Sequence, residues 1–218
     1  MNINKYFDNS ATSFPKPKQV AMEMSHYLND IGGSYGRSFY KRAYEVSKTV
    51  EQTRELLADL IGASLSSNIV FTLNATHAIN IVLNSFSKIK GEIAITPMEH
   101  NAVARPLYRI AGENKNLKIV SLPAFSDGYI DVDKMPQYIN KDTKLVVINH
   151  QSNVNGVIQP YRKIKELIGD IPLLLDVSQS LGHENINVDK DSIDFLAFTG
   201  HKALLGPTGI GGLFVKNK

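Results

Sequence analysis

From residue 68 onward, short β-branched runs alternate with helical stretches, and this alternation narrows the possible folds more than any other feature. Strands are expected at 68–73, 92–96, 117–122, 144–149, 173–177, 193–198 and 212–216. Helices are expected from about His77, from about Asn101, near 132–140 and near 160–168. Such a succession calls for an α/β fold, a three-layer sandwich around a mostly parallel sheet. Runs such as Leu145-Val146-Val147-Ile148 suit strands covered on both faces. Upstream, Tyr6–Thr12 reads as an extended arm, followed by a helix near 17–30 that Gly32 and Gly33 end. A long helix follows from about Tyr40 to Ile61, with Val46, Val50, Leu57, Leu60 and Ile61 as its apolar stripe and Gly62 as its stop. The expected organisation is an arm over 1–15 and one large domain over 16–218.

The 218 residues are 43% hydrophobic and 21% charged, enough for one domain with a substantial core. The net charge of +3 comes from dispersed basic residues with no aromatic platform among them, which argues against a nucleic-acid partner. There is no cysteine, which excludes disulfides, thiolate metal sites and any nucleophilic thiol from this chain. The six histidines show no paired ligand spacing, so no metal is expected. The start, Met1 to Lys5, is polar, and no apolar run is long enough to span a bilayer, so the expected location is the cytoplasm, away from membranes.

In open α/β sheets a ligand sits outside the carboxyl ends of the strands. Five strand ends place polar groups there: Asn74-Ala75-Thr76, His100, Asn153, Asp176 to Gln179, and Thr199 to Lys202. Asp176 follows Leu173-Leu174-Leu175, so a carboxylate ends a buried strand and needs a cationic or hydrogen-bonded partner. A protonated pyridine nitrogen would be such a partner. Lys202 follows a strand in a glycine-bearing loop, where partial desolvation lowers an amine's pKa and suits it to imine chemistry. Ala75 and Thr76 at a helix start offer N–H groups and a hydroxyl to a phosphate, and Thr199 and His201 add donors. Singly, each has an ordinary explanation: a surface lysine, a turn aspartate, Thr76 as a bare helix cap, two satisfied histidines. The case rests on their occurrence at successive strand ends.

Together these residues resemble the class V aminotransferase-fold enzymes that depend on pyridoxal 5'-phosphate (PLP), cysteine desulfurases in particular. Phe198-Thr199-Gly200-His201-Lys202 with Gly206-Pro207-Thr208-Gly209-Ile210-Gly211 resembles the PLP-lysine segment. Tyr6–Thr12 resembles the N-terminal segment, Phe71–Thr76 the phosphate-binding turn, and Met98-Glu99-His100-Asn101 the ring-stacking segment. His150–Gly156 and Asp176–Gln179 are similar to the remaining cofactor motifs. The resemblance implies a fold type I large domain. Lys202 and His100 would be the catalytic residues, Lys202 as the Schiff-base amine and His100 stacked on the ring. Asp176 would pair with the ring nitrogen, Gln179 would contact the ring hydroxyl, and Asn153 would lie near ring and substrate. Ala75, Thr76, Thr199 and His201 would hold the phosphate. Cysteine or selenocysteine is the implied substrate.

Two positions depart from the family pattern: His77 where an acidic residue is usual, and Tyr40 where a histidine is common. The resemblance also implies a small C-terminal domain, carrying a persulfide-forming cysteine and a carboxylate-binding arginine, that would follow Lys218. The expectation is therefore an N-terminal portion that works as a homodimer or with a complementary C-terminal chain. A non-catalytic PLP-binding scaffold and a class V aminotransferase are the alternatives. Two glycine motifs are set aside. Gly32-Gly33-Ser34-Tyr35-Gly36 lacks the strand that a nucleophile elbow requires. Gly206–Gly212 lacks the Lys-Ser/Thr ending of a P-loop.

Overall fold

The computed structural model describes residues 5–217, so the polar start at Met1–Asn4 and the end at Lys218 lie outside the described residues. Seven strands form one sheet: β1 (Ile69–Thr72), β2 (Gly91–Ile95), β3 (Leu117–Ser121), β4 (Thr143–Asn149), β5 (Leu173–Asp176), β6 (Phe195–Thr199) and β7 (Gly211–Val215). Their spatial order is β1-β7-β6-β5-β4-β2-β3. β7 alone runs against its neighbours, pairing antiparallel with β6 and β1, and every other pair is parallel.

The period-two pleat divides each strand between two cores. Leu145 and Val147 of β4, Leu174 of β5, Ala197 of β6 and Leu213 of β7 pack with helices α3 (Ala75–Ser85) and α4 (Asn101–Glu113). Val146, Ile148, Leu173, Leu175, Leu196, Phe198 and Phe214 point to the other face, which α2 (Lys41–Ile61) and α5 (Tyr161–Ile168) cover. Burial on both faces is why these strands read as continuous apolar runs. The expected three-layer α/β sandwich with a mostly parallel sheet is thus the observed one.

Several local expectations are corrected. The helix near 17–30 is α1 (Lys18–His26) followed by a π-helical turn, Tyr27–Ile31, which ends at Gly32. Tyr40 stands before α2 as its N-cap residue, and Gly62 takes the left-handed conformation that ends it. On α2, Leu60 is 44% exposed, while Ala43 and Ala58 are buried, because small residues let the helix lie close to its neighbours. No α-helix forms at 132–140, only a 3-10 turn at Met135–Gln137. Met135 and Ile130 are fully buried there, so the apolar spacing belongs to a loop that packs inward.

β7 brings the two ends of the site together. Gly211 pairs with Thr72 on one side and with Thr199 on the other. A Cβ on Gly211 would lie 2.6 Å from the Phe198 carbonyl oxygen and 2.7 Å from Asn74 Cα, both backbone atoms that cannot swing aside. A Gly211→Ala variant is expected to lose roughly 1–3 kcal/mol of stability through overpacking. Thermal unfolding reads this as a drop of several degrees, and an unchanged midpoint would show that the close approach matters little.

Candidate active site

At the carboxyl ends of the parallel strands lies a cavity of about 440 Å³. It is lined by Ala75, Thr76, His100, Asn153, Asp176, Gln179, Thr199, His201 and Lys202, all nine residues singled out from the sequence. Asp8, Ser10 and Ala11 of the N-terminal arm, Asn74, Asn149 and Ser178 complete much of the remaining wall.

One wall is the start of α3. Asn74, not Thr76, is the N-cap: its side-chain oxygen accepts from the His77 N–H at 2.8 Å. The helix therefore starts at Ala75, two residues before the expected His77. The N–H groups of Ala75 and Thr76 belong to the first turn, which has no intrahelical acceptors for them, at the positive end of the helix dipole. Thr199 and His201 approach from β6. Thr199 Oγ1 and His201 Nδ1 are both buried and both lack a hydrogen-bond partner. Burial, helped by the charges of Lys202 and Lys16, holds the His201 imidazole below its ordinary pKa.

The floor is Asp176, 3% exposed at the end of β5. Its Oδ1 accepts from the Ser178 N–H at 2.9 Å and the Ser178 hydroxyl at 2.5 Å, which fixes the carboxylate's orientation. Lys202 lies in the same cavity, where burial pulls its pKa down against the opposing pull of Asp176. A depressed amine pKa raises the neutral, nucleophilic fraction. Gln179 donates one amide N–H to the Ser10 carbonyl at 2.9 Å, tying the arm to the rim and leaving its second N–H for another acceptor. His100 is the N-cap of α4, with Nδ1 accepting from the Ala102 N–H at 3.1 Å.

Sequence reasoning passes over Glu99. Its Oε1 accepts from the Thr96 hydroxyl and the Asn149 N–H, both at 2.8 Å, and so ties the His100 loop to the end of β4. Its Oε2 is buried without a partner. Burial, reinforced by the nearby Asp176 charge, pushes this carboxyl up to about 8. The signal in the sequence is Thr96-x-x-Glu99 at a strand end, a spacing that lets a hydroxyl reach back to the carboxylate. His150, in contrast, is turned away from the cavity. It is 3% exposed, bonded to Ser180 Oγ at 2.8 Å and set edge-on to the Tyr161 ring.

Known proteins are similar to this chain over nearly its whole length. A probable cysteine desulfurase of Borreliella burgdorferi is 38% identical over 97% of this chain and 51% of its own length. One from Pyrococcus abyssi is 34% identical over 98% of this chain and 53% of its own. The apo structure of a cysteine desulfurase from Thermococcus onnurineus superposes with a TM-score of 0.90 at 34% identity, over 97% of this chain and 53% of that one. The protein SspA, solved in complex with cysteine, superposes with a TM-score of 0.88 at 29% identity, over 97% and 61% of the two chains. The chain thus spans about half the length of the curated relatives it matches. With the aminotransferase class-V family model matching residues 5–218, and a likeness that runs from the N-terminal arm through the lysine loop, the chain belongs to the class-V aminotransferase family.

Proposed function

We propose that the cavity binds PLP and that the chain is the cofactor-binding part of an enzyme acting on cysteine or selenocysteine. The observation that carries this reading is the pair of orphaned buried atoms, Thr199 Oγ1 and His201 Nδ1, beside the free N–H groups of α3. Buried polar atoms without partners are destabilising, so a hydroxyl and a ring nitrogen that can each donate, set beside free N–H groups, fit an anionic group such as a phosphate. Across the cavity, Asp176 presents a fixed carboxylate, the complement of a protonated ring nitrogen. When bound, PLP supplies an electron sink for bonds to the substrate's Cα.

The roles of the residues follow. Thr76, Thr199, His201 and the Ala75 and Thr76 N–H groups hold the phosphate. Asp176 keeps the ring nitrogen charged. His100 lies on the ring face, Gln179 gives its free N–H to the ring oxygen, and Asn153 borders the substrate. Lys202 anchors the cofactor through its amine and then moves the proton at the substrate Cα. The large domain that does this is 16–218, with residues 1–15 as an arm across the rim. Sulfur removal also needs a thiol, and this sequence contains no cysteine. That thiol, in this reading, is supplied by a C-terminal portion or a complementary chain, in a homodimer or a two-chain assembly working in the cytoplasm. Among the described residues, no helix is long and apolar enough to cross a membrane.

The test is an absorbance spectrum of the purified protein with added PLP, beside a Lys202→Ala variant. A visible band that disappears in the variant is expected. No band in either protein would overturn the cofactor assignment and leave a scaffold with the family fold. In the assembled enzyme, alanine as product supports sulfur removal, whereas a keto acid would mean transamination.

A further inference from the structure

Four donors from residues 12–16, at the junction of the N-terminal arm and the domain, crowd onto two consecutive carbonyls of the lysine loop. His201 O lies 3.1 Å from the Ser13 N–H, 3.1 Å from Thr12 Oγ1 and 2.5 Å from Lys16 Nζ. Ser13 Oγ is 2.8 Å from Lys202 O and 3.1 Å from His201 O, so its single hydrogen belongs to the nearer, Lys202 O. Lys16 Nζ is 2.6 Å from Ser13 Oγ and donates to it as well. A relay results: the Lys16 ammonium donates to the Ser13 hydroxyl, which donates to the carbonyl of Lys202. Bonds to a charged donor are stronger than neutral ones, and a hydroxyl polarised by an ammonium is itself a better donor. Lys16 is also partly desolvated, and burial lowers its pKa.

Neither Ser13 nor Lys16 lines the cavity described above, so neither touches a ligand held there. Docking an arm onto a domain does not call for a charged donor on the peptide of its nucleophile. Fixing the carbonyls before and after the Lys202 Cα, however, fixes the direction of the Cα–Cβ bond from which the amine is carried. Lys202 has four further rotatable bonds, and restricting their starting point raises the fraction of time the amine spends at one place.

We propose that Lys16 and Ser13, at the base of the N-terminal arm, are positioning residues that aim Lys202 by clamping the His201 and Lys202 carbonyls. The proposal rests on the reading of Lys202 as the cofactor-anchoring amine. In that step the amine condenses with the PLP aldehyde and releases water. Borohydride then reduces the link to a stable secondary amine that adds a fixed mass to the chain.

The experiment titrates the full chain with PLP, reduces it with borohydride and reads the adduct by intact mass. The PLP concentration for half-maximal adduct should rise at least about tenfold in Lys16→Met, which loses both charge-assisted hydrogen bonds of the ammonium. Ser13→Ala should show a similar rise, and Lys16→Arg, which keeps a charged donor, should recover most of it. Melting temperatures identify any variant that fails to fold. In the Lys202→Ala background, where Lys16 can act only through the phosphate-side His201, Lys16→Met should weaken non-covalent PLP binding by equilibrium dialysis far less than it weakens adduct formation. Normal adduct formation in Lys16→Met and Ser13→Ala overturns the proposal alone. A loss of dialysis binding as large as the loss of adduct formation, on adding Lys16→Met to Lys202→Ala, also overturns it, because Lys16 would then act on the ligand and not through Lys202. Absence of adduct in the unsubstituted chain overturns the reading of Lys202 itself, and the proposal with it.

Discussion

An Asp176→Ala variant should bind PLP between about tenfold and a hundredfold more weakly, the range expected for losing one hydrogen bond to a charged group. The carboxylate is 3% exposed, and among the described residues it takes part in no ion pair. Its two short bonds to Ser178 both fall on Oδ1, which leaves Oδ2 for the cavity. A buried carboxyl whose hydrogen bonds come from Ser178 gains strongly from a cationic group placed in the cavity. Stability of the unliganded variant should therefore change far less than its affinity. Asp176→Asn separates charge from shape: it retains an acceptor for Ser178 but offers no negative charge to a ring nitrogen. Calorimetric titration with PLP should find the asparagine variant nearly as weak as the alanine variant. Equal affinity in all three proteins would remove Asp176 from the ring-nitrogen role.

The strands are legible in the sequence because the sheet is covered on both faces, so that Leu145–Ile148 and Leu173–Leu175 have no polar alternation to blur them. Their carboxyl ends then locate the cavity, since strand order affects which residues meet there but not which end of a parallel strand binds ligand. The start of α3 is harder to place because Asn74 and Thr76 both have cap-forming side chains, and only in the fold do the extended backbone of Asn74, with φ −176° and ψ 175°, and its bond from the His77 N–H distinguish them. The 132–140 segment misleads because a loop that buries Ile130 and Met135 shows the same spacing as a helix face. There the backbone is satisfied by side chains instead: the Ile130 N–H donates to Gln159 Oε1, and Gln159 Nε2 donates to the Gly128 carbonyl. The Lys16–Ser13 relay is illegible, because its partners are 185 to 189 residues apart. Glu99 is hidden for a related reason: a glutamate in a loop reads as solvated until the end of β4 is seen to close over it.

Glu99 should also leave a measurable mark on stability against pH, in opposition to His150. The Glu99 carboxyl is raised from 4.5 to about 8, so between those values the unfolded chain is ionised there and the folded chain holds the proton. Its stabilising contribution is complete below pH 4.5 and is lost as pH rises towards 8. His150 is lowered from 6.5 to about 4 by burial and by the Arg162 charge, so over that window the unfolded chain holds the extra proton and stability rises with pH. From about pH 4.5 to 6.5 the two slopes cancel; above 6.5 only Glu99 acts, and the pair then loses about 2 kcal/mol by pH 8, at about 1.4 kcal/mol per unit. Glu99→Gln keeps an oxygen for Thr96 and Asn149 but cannot ionise. The difference in unfolding free energy between variant and parent cancels the titrating groups that do not interact with Glu99. Measured by urea denaturation, it should move in favour of the variant from pH 4.5 to 8, by up to about 5 kcal/mol, and be level on either side. A difference curve flat across that window would mean that Glu99 is ionised in the fold, with a second negative charge beside Asp176.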